Sequence, residues 1–129
     1  MSGDGNETTV VGVSRKCKLV SMIAQAVAAG TGTWVDTRHL DKGSFEFYAD
    51  STATPASGSV SSFSAQIMGS NAQNKPDNTT DGVVIGTAVT TMSIIEITTH
   101  CRWMKIKPTA VSVSGQGALS ARLHAQTLN

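Results

Sequence analysis

The second half of this 129-residue chain is a series of short β-patterned runs, each closed by turn-forming residues, and few folds accommodate such a pattern. The clearest runs are Val60 to Met68, Ile94 to Ile97, Arg102 to Lys107 and Ala118 to Ala125. Residues two apart share one face of a strand, so Phe63, Ala65 and Ile67 make one apolar face, and Met104 and Ile106 make another. Between the runs stand Gly69-Ser70-Asn71, Asp81-Gly82 and Ser114-Gly115-Gln116-Gly117, whose residue types reverse a chain at little steric cost.

Two further runs lie upstream, Thr33 to Thr37 and Ser44 to Ala49. In the second, Phe45 and Phe47 share the face expected to meet the core, and Glu46 and Tyr48 the other. Leu19 to Ala29 fits a helix through Leu19, Met22, Ile23, Ala26 and Val27, or a strand of poor alternation, and Gly30 and Gly32 stop either one. A strand is expected, because every later run is a strand. With Val83 to Val89 and Ser93 to Thr98 the tally is about eight strands. That predicts an all-β fold, an antiparallel β-sandwich or jelly roll, with an exposed loop at 50–59 and a long polar connection at 69–82.

The length suits one domain with a single modest core. The expected division is a β-sandwich domain over 17–129 preceded by an extended N-terminal arm over 1–16. In that arm only Val10, Val11 and Val13 can pack, so Thr9, Val10, Val11 and Val13 are the candidate assembly residues, laid either on a neighbouring subunit or on the chain's own domain. The run Leu19 to Val35 holds no charge and imitates an export leader, but Ser21 and Gln25 interrupt it. It is expected to belong to the fold and not to a cleaved leader or a membrane span.

Charged residues make up 15% of the chain and the net charge is +1, so no basic stripe exists to neutralise a phosphate backbone. Nucleic acid is therefore not an expected partner. The 15 Ser, 16 Thr and 12 Gly suit strands whose outer faces meet water or another subunit.

Several groups invite a chemical reading. Asp36, His39 and Asp41 hold ligand types for a divalent ion, and Asn71, Asn74, Asp77, Asn78 and Asp81 offer hard oxygens of the kind calcium prefers, without the spacing or closing Glu of an EF-hand. Asx residues also simply make turns, and the expectation is no metal and no cofactor. Cys17 and Cys101 lack a CxxC partner and are expected as two small buried thiols. No nucleophile elbow, phosphate loop or dinucleotide fingerprint occurs, so the chain is expected not to be an enzyme and to take no small-molecule substrate. Trp34, Tyr48 and Trp103 would be stacking platforms for sugar rings if exposed, and packing residues otherwise. Lys105 and Lys107 read as charges guarding a sheet edge.

Trp34-Val35-Asp36, Phe45 to Tyr48, Phe63 to Asn71 with its Gly69-Ser70-Asn71 turn, Cys101 to Lys107 with its Arg-aromatic-x-Lys strand, and the Gly-led Gly117 to Leu123 follow in an order that resembles small structural proteins of tailed bacteriophages. The resemblance spans about residues 30 to 126. It implies a virion structural protein with no catalytic residues: a capsid decoration or cement subunit on the capsid surface, assembled in the host cytoplasm. Its partners would be the major capsid protein or other virion subunits, with self-association into a homo-oligomer. The alternative is a glycan-binding β-sandwich module on a phage fibre or tail.

Overall fold

Phe45 and Phe47 do point into the core, from a strand longer than their pattern suggests. The computed structural model describes residues 16–127, and the arm residues Thr9, Val10, Val11 and Val13 lie outside them. Eight strands follow in order: β1 (Cys17–Ala26), β2 (Val35–Asp36), β3 (Leu40–Ser51), β4 (Ser59–Ser70), β5 (Val83–Val89), β6 (Ile94–Glu96), β7 (Trp103–Ser114) and β8 (Gly117–Thr127). They form two four-stranded antiparallel sheets, β1-β8-β3-β6 and β2-β7-β4-β5. The sheets pack face to face as a β-sandwich, and every connection except β4 to β5 passes from one sheet to the other.

Alternation decides what fills the space between the sheets. Phe45, Phe47, Leu119, Ala121, Leu123 and Ala125 project from the first sheet against Phe63, Ala65, Ile67, Met104 and Ile106 from the second. Phe47 and Phe63 bridge the layers, with ring centroids 6.1 Å apart and planes 15° from parallel. Each large side chain among them contributes about 1.5–3 kcal/mol on removal from water, which makes this layer the main source of cohesion.

Two strands depart from the expected pattern for identifiable reasons. In β1 the register with β8 shifts between Ser21 and Ile23, so Met22 and Ile23 are both buried where strict alternation would expose one. That bulge changes the phase of the strand, and a strand with a phase change reads like a helix. In β7 the run was expected to end at Lys107, before Pro108, yet it continues to Ser114. Pro108 sits at a register shift, where Ser64 pairs Ala110 and Ala65 pairs Pro108. Its missing N–H is tolerated at a bulge.

The exposed loop expected over 50–59 is shorter than that. Asp50 and Ser51 belong to β3, Ser59 belongs to β4, and Ser51 is buried with its hydroxyl accepting from the N–H groups of Ala53 and Ser57.

Candidate functional site

The long connection between β4 and β5 does not trail into solvent. It lies across the outer face of the second sheet and seals a small apolar cluster of Trp34, Met68 and Trp103. Strand register explains why these side chains meet. Opposed pairs on β4 and β7, Ser70 with Trp103, Met68 with Lys105 and Gln66 with Lys107, share the face away from the core. On that face any large apolar group needs a cover.

Each part of the cover is bonded to the sheet below. Asn71 Oδ1 accepts from the Arg102 N–H at 3.0 Å, and Trp103 Nε1 donates to the Ala72 carbonyl at 3.1 Å. Further along, Asn78 Oδ1 accepts from the Trp34 N–H, while Trp34 Nε1 donates to the carbonyls of Asp77 and Thr80, all at 3.1 Å. Within the loop, Asp77 Oδ1 accepts from the Thr79 N–H and hydroxyl, an Asx turn. The chain then leaves through Gly82, whose φ of 68° and approach to the Gly69 carbonyl, 2.6 Å from where a Cβ would stand, admit glycine.

The cation at the centre of this arrangement is Lys105. Its side chain is 0% exposed, and its Nζ donates to the carbonyls of Asn78 at 2.8 Å and Thr80 at 2.9 Å, with an Asp81 carboxylate oxygen at 3.7 Å and the Trp34 ring centroid at 5.0 Å. The expectation that Lys105 and Lys107 guard an edge is corrected here: β7 lies between β2 and β4, and Lys105 is enclosed. Lys107 meets both oxygens of Asp81, at 3.1 and 3.0 Å. Of the loop's side-chain oxygens that resemble calcium ligands, those of Asp81 turn towards these ammonium groups, while those of Asn71, Asp77 and Asn78 accept from N–H groups of the chain. Burial lowers the Lys105 pKa from its ordinary value, and the nearby Asp81 charge works against that shift.

The remaining candidates stay apart. Asp36 binds Arg38 through both carboxylate oxygens, at 3.0 and 2.6 Å, and this pairing holds its pKa at about 2. Among the described residues no group of three or more His, Cys, Asp or Glu converges as a metal site. The two thiols are free, but Cys17 is exposed and Cys101 only half-buried, which corrects the expectation that both are buried. His100, next to Cys101 in sequence, lies in the loop between β6 and β7. Of the three aromatic candidates, Trp34 and Trp103 are buried. Tyr48 is half-buried on the outer face of the first sheet, with the Arg122 guanidinium 4.2 Å from its ring centroid and Glu46 bonded to that arginine at 2.6 Å.

Several carboxylates share the trend of Asp36. Hydrogen bonds from the Thr79 hydroxyl and N–H lower the Asp77 pKa, Lys107 lowers that of Asp81, and the Ser51 N–H lowers that of Asp50. Since each folded pKa lies below the ordinary 3.8, the unfolded chain takes up protons first as the solution is acidified. Their stabilisation is complete above pH 3.8 and is lost as the pH falls below it, for Asp36 towards about 2. The melting temperature, followed by circular dichroism, should be level at neutral pH and fall below pH 3.8. Asp77→Asn should flatten the fall, and a wild-type melting temperature unchanged below that pH would contradict the assignment.

A further surface carries no motif that a sequence reading would single out. Along one side of the sandwich the sheets end in β5 and β6, and between them a cleft of about 350 Å³ runs inward to Phe45, Ile67 and Met104. Its walls are Ile85, Val89, Ile95 and Ile97, its rim carries threonine hydroxyls, and Glu96 is its one charged lining residue. Beside it Val83 is 71% exposed and Ile94 69% exposed. A sequence signal existed: no charged residue occurs between Asp81 and Glu96. Such a span places two sheet edges in water without the lysines that usually protect them.

Comparison of the chain with family models, with curated proteins and with solved structures finds no match.

Proposed function

We propose that this chain is a virion structural protein, a decoration or cement subunit that binds and stabilises a phage head shell through subunit–subunit contacts. The observation that carries the reading is the strand order, β1-β8-β3-β6 facing β2-β7-β4-β5. It reads as a jelly roll, two Greek keys wrapped together, an architecture shared by viral capsid and lectin domains. The lectin side of that pair has less support, since Trp34 and Trp103 are enclosed and Tyr48 is covered by Arg122.

Two features fit a protein that works by contact. The loop fastened over Trp34, Met68 and Trp103 stiffens one end of the second sheet, and the β5–β6 side, with Glu96 its one charged cleft residue, offers apolar area where a neighbour can bury it. On a symmetric shell many modest contacts add up, so each copy needs only moderate affinity. The segment before β1 serves as an arm in this reading.

The test is co-sedimentation with phage heads that lack the chain. Added protein should pellet with them and raise their melting temperature. Folded protein that stays in the supernatant overturns the proposal, as would closed shells formed by this chain alone, which would make it the shell subunit.

A further inference from the structure

We infer that the cleft between β5 and β6 receives residues 8–13 of a second copy of this chain. This deepens the assembly role proposed above and rests on it.

The cleft constrains the chemistry of its occupant. Both walls are sheet edges, and among the described residues no strand pairs with the outer side of either. Unpaired backbone N–H and C=O groups call for a partner with a backbone of its own, while the apolar floor of Phe45, Ile67 and Met104 calls for aliphatic side chains. An extended peptide supplies both; a lipid chain or a sugar supplies one. Direct pairing of two β5 strands is disfavoured by the strand itself. Its register with β4 breaks between Ile85 and Val89, around Gly86 with φ of 73°, and an edge broken in this way resists the long continuous pairing that two whole strands require, while a short segment can pair to one side of the break.

Charge then selects the peptide. With Glu96 as the cleft's single charged residue, an acidic segment is repelled and an uncharged one is accepted. Thr8-Thr9-Val10-Val11-Gly12-Val13 carries no charge, and all but Gly12 are β-branched residues that favour strands. Asp4 and Glu7 precede the segment and Arg15 and Lys16 follow it, so its ends are set by charge on both sides.

Reach decides between the chain's own cleft and a neighbour's. Lys16 is held at the β1 edge, where its carbonyl accepts from the Thr127 N–H at 2.8 Å, and β6 is at the opposite edge of the same sheet. Three strand spacings separate those edges, about 14 Å. Val13, three residues before Lys16, reaches at most about 10 Å even fully extended. The whole segment therefore fits only the cleft of another copy, and reciprocal exchange closes a symmetric pair.

The experiment uses full-length chains. Val11→Asp alters the segment and leaves the cleft intact; Ala88→Asp, at an exposed position of the cleft wall, does the reverse. In light scattering after size exclusion the wild type should associate. Each variant alone should be monomeric, its association weakened about a hundredfold or more by burying a charge, with an unchanged melting temperature. Mixing the two variants should restore a one-to-one pair, because the mixture holds one intact segment and one intact cleft. A monomeric wild type, a Val11→Asp chain that associates normally, or a mixture that stays monomeric overturns the inference. Head binding is read on the same samples. Wild type that binds heads while monomeric overturns the exchange alone, whereas wild type that associates but leaves heads bare overturns the decoration role alone.

Discussion

Lys105→Met should lower the stability of the folded chain by about 3 kcal/mol, roughly 10 °C in melting temperature for a domain of this size. Methionine preserves most of the aliphatic stem, so packing against Trp34 changes little. What is lost is the ammonium, which leaves the Asn78 carbonyl without that donor beneath the loop and the Thr80 carbonyl with Trp34 alone. A buried acceptor without a partner retains the full cost of its lost hydration. Urea denaturation measures the effect, and a midpoint within error of wild type would show that the ammonium is not what holds the loop. Glu46→Gln provides the contrast: that residue pairs with Arg122 at 2.6 Å, but both side chains are about two-fifths exposed, and the change should cost under about 1 kcal/mol.

Trp34→Ala should be costlier still, about 4 kcal/mol, because it removes a large buried ring together with the indole donor shared by Asp77 and Thr80. The Thr80 carbonyl accepts from both Trp34 and Lys105, so the two substitutions act on one group. The double variant should therefore lose less than the sum of the singles, by about 1 kcal/mol or more. Strict additivity would mean that the loop is not fastened as a unit. In either variant the freed loop would expose Met68 and Trp103, which a rise in binding of a hydrophobic dye would report.

Much of the fold was legible because one physical rule, burial of alternate side chains, governs most of the strands. Phe45 and Phe47, Phe63 with Ala65 and Ile67, and Met104 with Ile106 all face inward as their spacing requires. The rule loses its grip where a bulge shifts the phase, as at Met22, or where a bulge removes the penalty that normally ends a strand at proline, as at Pro108. It says nothing about an outer face covered by a loop. Residues 71–82 look soluble in composition, and their role as a lid depends on where Trp34 and Lys105 come to lie in three dimensions. Lys105 shows the difficulty most plainly, since a lysine alternating with core residues reads as solvated until the opposite face of its sheet is known to be covered. The β5–β6 cleft was hidden for a related reason: a lack of charge is visible in sequence, but the adjacency of two edges from different sheets is not.

The wrapping of the strands also bears on how the molecule is made. β1 pairs with β8, so Cys17 lies opposite Gln126, and the middle of the first sheet stays vacant until the last strand arrives. Contacts so distant along the chain form slowly, and domains built from them fold on the order of milliseconds to seconds. During synthesis the early strands must wait with their edges unmatched, a state prone to clumping.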